Sequence, residues 1–459
     1  MKLPGESQTP RFLQRINWVF NPVQLMEKSA QAYGDFFTLK LSSQEPIVFI
    51  SNPQAIQQIF TSPLENFEGV SNKLLKPLLG ENSLLLIDGE NHRRQRKLLI
   101  PPFHGERMKS YSEIITSITQ EVIKQWEIGK PFSVRDFMQE ISLRVILQAV
   151  FGLSAGERFN KLENLLRSLL ELTGSPLRSM MTFFPILQID LGTLSPWGRF
   201  LRQKETIYQI LQSEITERRA DISGNDILTL MMSSRDENGQ PMTDIELRDE
   251  LVTLLFAGHE TTASALTWSL YWIHRLPSVK YKLLDELNNL LNNQKRGSVL
   301  DANKIYQLPY LNAVCQETLR IYPIAMITLP RMVKKQIRIM DHEFTPGTLL
   351  APCIYLTHHR ADIYDNPEEF DPERFLKRQY SQYEYIPFGG GNRRCIGMAF
   401  AMFEMKLVLA TILSELNLSL VDNIKVKPLR RGVTLAPSAG KWLVATGKAN
   451  LSTNIGRES

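Results

Sequence analysis

The segment Phe388-Gly389-Gly390-Gly391-Asn392-Arg393-Arg394-Cys395-Ile396-Gly397 concentrates residues that can do chemistry. Cys395 follows three consecutive glycines and two arginines. Nearby positive charge favours a thiolate over a thiol. Glycine lets the backbone lie flat against a large ligand. The apolar run Ile396 to Leu413 reads as a helix behind the cysteine, and a helix N-terminus stabilises negative charge. The stretch is suited to holding one deprotonated sulfur against something flat. Each piece also has a plainer reading, since a free cysteine is usually a small buried hydrophobe and a glycine run a turn. A phosphate loop does not fit: the G-x-G-x-x-G spacing fails at Arg394, and no Gly-Lys-Ser/Thr follows.

Three further constellations precede it. His92 and Arg96 are four apart in His92-Arg93-Arg94-Gln95-Arg96-Lys97 and share one helix face, either a solvated basic face or an anion site. Leu254-Leu255-Phe256-Ala257-Gly258-His259-Glu260-Thr261-Thr262 places a carboxylate and a hydroxyl beside a helix-weakening glycine. Threonines there can bond back to carbonyls and bend the helix, or the glycine can mark an opening that admits water. Glu317 and Arg320 are three apart on another helix, a spacing usually worth only a few tenths of a kcal/mol on a surface.

Phe388, Gly391, Arg393, Cys395 and Gly397 match Phe-x-x-Gly-x-Arg-x-Cys-x-Gly at all five fixed positions. Gly258-His259-Glu260-Thr261-Thr262, the Glu317-x-x-Arg320 pair with Arg374 downstream, and the His92/Arg96 pair stand in the same order. Together the chain resembles the cytochrome P-450 superfamily, the haem-thiolate monooxygenases, over essentially its whole length. The resemblance implies a mainly α fold with a small β-rich lobe, a helical prism with haem b between a long central helix and the cysteine loop. It implies Cys395 as axial iron ligand, in a loop shaped by Phe388, Gly391 and Gly397. His92, Arg96, Arg331 and Arg393 would neutralise the haem propionates; many members carry Trp where His92 stands. Glu260 and Thr261 would be the acid–alcohol pair that delivers protons. Glu317, Arg320 and Arg374 would form a buried charge network with a structural role. His259 is a position the family varies and is read as a packing residue.

These residues need elements to hold them. Thr243-Asp244-Ile245-Glu246 is a capping box opening a helix that can run to His274, stopped by Leu276-Pro277. Asp88-Gly89 starts the His92 helix, and Leu308-Pro309 starts the Glu317 helix. Apolar spacing predicts helices over Asn21 to Tyr33, Asn52 to Phe60, Ser110 to Trp126, Val134 to Phe151 and Gly198 to Ala220. Phe36 to Leu41 and Ile47 to Ser51 read as paired strands in a β-rich portion, about residues 34–60, with more strands in the last third. Leu74 to Ile87 is irregular, and Met180 to Leu187 is an apolar connector; the resemblance makes the latter a lid.

At 459 residues, with no linker or repeat, residues 1–459 read as one domain. Three scattered cysteines give no disulfide framework and point to a reducing, cytoplasmic setting. Cys353, His358 and His359 lack a fourth ligand, so a zinc site is not expected. Net charge of +5 is no nucleic-acid signature. No apolar run reaches 18 residues, so no membrane anchor or signal peptide is expected, although Phe12 to Phe20 has amphipathic character suited to peripheral contact. The overall look is that of soluble prokaryotic members, with cyanobacterial relatives of fatty-acid hydroxylases in view. The function implied is insertion of one oxygen atom of O2 into an apolar substrate, whether fatty acid, alkane or terpenoid. Leu74, Leu78, Leu85, Phe183, Phe184, Leu254, Ile324, Met326 and Leu435 are the expected pocket residues. The length leaves no room for a flavin or iron–sulfur domain, so ferredoxin and ferredoxin reductase are the expected electron source, with Arg93, Arg94 and Lys97 as candidate docking charges. A peroxide-using enzyme and a non-catalytic haem protein are the rival functions.

Overall fold

A computed structural model describes residues 3–41, 45–69, 76–103, 105, 107–153, 156–173, 187–221, 224–292, 301–421 and 424–449. Its spine is the 32-residue helix Asp244–Arg275. Thr243 Oγ1 accepts from the Glu246 N–H at 3.2 Å, and Glu246 Oε2 accepts from the Thr243 N–H at 2.8 Å, completing the capping box. At about 1.5 Å per residue the helix crosses roughly 48 Å. Helices Val134–Phe151, Pro196–Ala220, Pro309–Ile321 and Met398–Glu415 pack around it. Their buried side chains join others, from Leu79 to Ala445, in one continuous apolar core.

The β-rich lobe is a five-stranded sheet ordered Phe36–Leu39, Ile47–Ile50, Leu349–Pro352, Arg331–Val333, Phe67–Gly69. All its pairings are antiparallel except that between Ile47–Ile50 and Leu349–Pro352. Strand alternation sends side chains to opposite faces. Phe36, Val48 and Ile50 therefore build one apolar cluster, and Phe37, Leu39 and Phe49 another. Near-continuous apolar strands are what a sheet covered on both faces requires. Asn52 caps the helix Pro53–Thr61, accepting from the N–H of Gln54 at 2.9 Å and of Ala55 at 3.2 Å.

The predicted helices form with shifted ends: Arg107–Ile123 rather than Ser110 to Trp126, and Pro196–Ala220 rather than from Gly198. Val134–Phe151 has the predicted bounds. Helices Glu157–Thr173, Ile227–Ser233 and Pro277–Asn292 were not anticipated. Met180 to Ile186, Leu74 and the tail from residue 450 lie outside the described residues. Arg11–Phe20 is a helix packed by Gln14, Trp18 and Val19, with Phe12, Leu13 and Phe20 exposed. Among the described residues no helix is long and apolar enough to cross a membrane.

Candidate active site

The cysteine loop crosses the end of the Pro53–Thr61 helix. A Cβ on Gly390 would meet Phe60 Cε2 at 2.2 Å, and one on Gly391 would meet the Phe60 carbonyl oxygen at 2.7 Å. Gly391 also has φ +61°, where side chains are strained. These two glycines thus serve the chain's own packing. Arg331 joins the parts, donating to the Ile59 carbonyl at 3.0 Å and the Gly390 carbonyl at 3.3 Å. Gly397 differs: its φ is −85°, and an added Cβ meets no protein atom within 4 Å. Neither strain nor packing within the chain requires glycine there.

The helix behind the loop begins at Met398, three residues past Cys395, so the sulfur is not at its first turn. Cys395 instead donates its N–H to the Phe388 carbonyl at 3.0 Å. Its surface is open although it lies deep among protein atoms, so it faces an internal cleft. Burial raises its thiol above the ordinary value; the Gly397 N–H, Arg96 and Arg394 act in the opposite direction. The neighbouring charges do not overcome burial, contrary to the sequence expectation. A cation bound directly to sulfur deprotonates a thiol outright.

His92, Arg96, Arg331 and Arg393 come together. His92 is buried, and burial, then Arg393, Arg96 and Arg331, lower its pKa to about 3, so it is a neutral donor at ordinary pH. Arg331 is lowered to about 10 by burial and by Arg393. The His92 and Arg96 side chains make no hydrogen bond among the described residues. Arg393 is engaged, donating to the carbonyls of Leu84 at 2.9 Å and Ile87 at 2.6 Å and to the Asp88 carboxylate. Asp88 therefore gives no side-chain cap to the Gly89–Leu99 helix it precedes. Of the outer charges, Arg94 pairs with Asp236 at 2.6 Å and Glu246 at 2.8 Å, and Lys97 pairs with Glu237; Arg93 is the one left most open.

The central helix continues unbroken through Gly258. A Cβ on Gly258 would meet Ile146 Cδ1 at 2.9 Å, so that glycine admits the Val134–Phe151 helix rather than opening a gap. Thr261 Oγ1 donates to the Ala257 carbonyl at 2.5 Å and Thr262 Oγ1 to the Gly258 carbonyl at 2.9 Å, the back-bonding pattern. Leu251–Leu255 and Thr262–Leu270 are buried, yet Ala257 is exposed and Phe256, Gly258 and Thr261 half-open, one accessible strip in mid-helix. The Glu260 carboxylate accepts from Arg135 Nη2 at 2.6 Å and Gln139 Nε2 at 2.6 Å. Sequence reading missed both partners, more than 120 positions away. His259 is a packing residue, its Nε2 3.0 Å from the Gln139 carbonyl, and burial lowers its pKa to about 4.

Glu317, Arg320 and Arg374 are buried together. Arg320 donates Nε and Nη2 to Glu317 at 2.7 and 2.8 Å, and Arg374 Nε reaches it at 3.1 Å. His358 accepts the Ile386 N–H at 2.9 Å, while Cys353 is buried and His359 turns to the Tyr355 carbonyl. Met326 and Leu435 are buried beside Trp18 and Phe49, so they are core and not pocket lining. Leu78 and Leu85 are half-open, Leu254 and Ile324 buried, and Phe183 and Phe184 lie outside the described residues.

A helical body, a small sheeted lobe, an open cysteine in a glycine loop and gathered cations define a haem-thiolate oxidoreductase. The chain belongs to the cytochrome P-450 family, whose model matches residues 4–444, and whose members are monooxygenases that use haem b. It is 34% identical over 444 residues to cytochrome P-450 135B1 of Mycobacterium tuberculosis, covering 96% of this chain and 90% of that protein. Cytochrome P-450 138 of the same organism is 31% identical over 447 residues, covering 97% and 96%. Among solved structures, retinoic acid bound cyanobacterial CYP120A1 superposes with a TM-score of 0.81 at 26% identity, covering 98% and 100%. The haem domain of cytochrome P-450DA gives a TM-score of 0.85 at 22% identity, covering 96% of each chain, a likeness of fold.

Proposed function

We propose that this chain inserts one oxygen atom of O2 into an apolar organic substrate, a fatty acid, alkane or terpenoid, with electrons from a ferredoxin and its reductase. The observation that carries the reading is the accessible strip of Phe256, Ala257, Gly258 and Thr261 between the buried stretches Leu251–Leu255 and Thr262–Leu270, which offers an apolar surface bearing a single hydroxyl. Retinoic acid, held by the cyanobacterial neighbour, is an apolar carboxylic acid of the same broad class.

The donor set fits haem b. Gly397 carries no side chain where the chain would tolerate one, which suits a planar group lying against it. Among the described residues His92 and Arg96 are donor groups without a protein acceptor, which suits propionates. Cys395 would hold the iron, Phe388 and Gly391 would shape the loop, and His92, Arg96 and Arg331 would hold the propionates. Arg393 would add charge while pinned to Leu84 and Ile87. Haem, when bound, supplies oxygen activation, with a cysteine ligand favouring O–O cleavage.

The protein's own part is positioning, water exclusion and proton control. Thr261 Oγ presents the single hydroxyl of the strip, and Glu260 is the acid beside it. Because Arg135 and Gln139 both hold Glu260, a proton moves through it when that clamp loosens. Arg93, exposed on the His92 helix, would meet an acidic electron donor.

Product formation from palmitate or retinoic acid should require ferredoxin, reductase and NADPH. Equal turnover with hydrogen peroxide alone favours the peroxide-using alternative. No product from apolar substrates that do perturb the haem spectrum favours the non-catalytic one.

A further inference from the structure

Glu250 stands in the N-terminal half of the central helix and is fully buried. Its Oε1 accepts the Leu84 N–H at 2.6 Å. The Gln95 amide turns its nitrogen to the same oxygen at 2.8 Å and to the Asn82 carbonyl at 2.9 Å; turned the other way, its oxygen would face only acceptors. Glu250 Oε2 has no partner among the described residues. Burial raises this carboxyl well above its ordinary value, with the Leu84 N–H acting in the opposite direction. Placing an acid in a core is costly, so its two bonds need a reason.

Both partners of Oε1 lead in one step to the gathered cations. Leu84 gives its N–H to Glu250 and takes Arg393 Nη1 on its carbonyl at 2.9 Å, so one residue joins the central helix to the cysteine loop. Gln95 stands on the Gly89–Leu99 helix, three residues after His92 and one before Arg96. Residues three apart on a helix are neighbours, and Gln95 and His92 are both buried. The adjacent Asp249 does something different. It takes the Asn82 N–H at 3.1 Å and Asn82 Nδ2 at 3.0 Å, and a Cβ on Gly80 would lie 2.4 Å from its Cγ. Asp249 thus fastens residues 80–82, upstream of Leu84.

We infer that Glu250 is a positioning residue for the haem carboxylate clamp, setting Arg393 through Leu84 and the His92/Arg96 helix face through Gln95. This rests on the reading that His92, Arg96 and Arg393 serve the haem propionates. One oxygen then ties both arms of the clamp to a single point on the central helix. Donors fixed in advance bind an anion with less loss of side-chain freedom.

The test is the rate of haem transfer from the ferric, haem-loaded protein to excess apomyoglobin, which involves no substrate and no turnover. Glu250→Leu should release haem roughly tenfold faster, the worth of one strong hydrogen bond. Glu250→Gln keeps a carbonyl oxygen in the place of Oε1 and should stay near wild type. Gln95→Leu breaks only the arm to the His92 helix and should give a smaller increase; it stands in where Glu250→Leu does not fold. In an Arg393→Gln background, Glu250→Leu should add less than it does in wild type, because one group it sets is gone, whereas a general loss of stability adds in full. Wild-type release from both leucine variants, no rescue by Glu250→Gln, or full additivity with Arg393→Gln overturns the inference. His92→Leu separates the two readings. Faster release from His92→Leu beside wild-type release from Glu250→Leu removes the positioning role alone. Unchanged release from His92→Leu removes the clamp, and this inference with it.

Discussion

Glu317 and Arg320 form a bidentate ion pair, at 2.7 and 2.8 Å, with neither side chain exposed to solvent. Arg320 completes its donors on the carbonyls of His358, Pro367 and Glu369. Arg374 and the Asp371 N–H also converge on Glu317 Oε1. One carboxylate thus holds the chain that leads into the cysteine loop.

Removing that carboxylate leaves two buried guanidiniums without their anion. Deleting one member of a buried pair costs about 3–5 kcal/mol, a large part of a domain's stability. Glu317→Ala should give little folded, haem-loaded protein, and a lowered urea midpoint in whatever folds. A midpoint equal to wild type would show that the pair does not hold the fold.

Cys395 is the open cysteine, whereas Cys315 and Cys353 are buried with thiols raised to about 12 by burial. Cys395→His should abolish the red-shifted Soret band that carbon monoxide gives with reduced, thiolate-ligated haem. Cys315→Ser and Cys353→Ser should retain it. The same band in Cys395→His would remove this residue as the ligand.

Thr261 bears the accessible hydroxyl of the strip, and Thr262 is buried. Thr261→Ala should keep haem content and NADPH consumption but raise hydrogen peroxide and lower product per NADPH. Thr262→Ala should change coupling less. Wild-type coupling in Thr261→Ala would reduce Thr261 to its bond with the Ala257 carbonyl.

Burial lowers the pKa of His259 to about 4, of His274 to about 3 and of His359 to about 4, and holds His358 well below its ordinary value. Below pH 6.5 the unfolded chain binds protons that these folded imidazoles refuse. Their contribution is present above that pH and is lost as pH falls towards the folded values. Glu404 runs the other way: burial raises it to about 8, so its contribution is lost as pH rises from 4.5. Glu250, Glu286 and Glu368 are raised by burial as well, so imidazoles and carboxyls oppose one another over this range, and the imidazole share is read from a single variant. Each proton is worth about 1.4 kcal/mol per pH unit. His259→Gln should flatten the slope of unfolding free energy, measured in urea from pH 6.5 to 5, by about that amount. An unchanged slope would mean that His259 is protonated in the fold.

Sequence alone determined what works within a few residues. The capping box from Thr243, the Asn52 cap, the paired strands at Phe36 and Ile47 and the i,i+3 pair Glu317/Arg320 depend on local spacing, and all appear in the structure. It also determined the cysteine loop, because five fixed positions in ten residues leave little freedom. Tertiary structure decided everything that needs a partner far along the chain. Gly258 answers to Ile146, Gly390 to Phe60, Glu260 to Arg135 and Gln139, and Arg393 to Leu84 and Ile87. It also decided that Met326 and Leu435 are core and that Arg94 is paired. Periodicity gives a residue its face, but only packing decides which distant group occupies the space opposite, and burial then sets its charge.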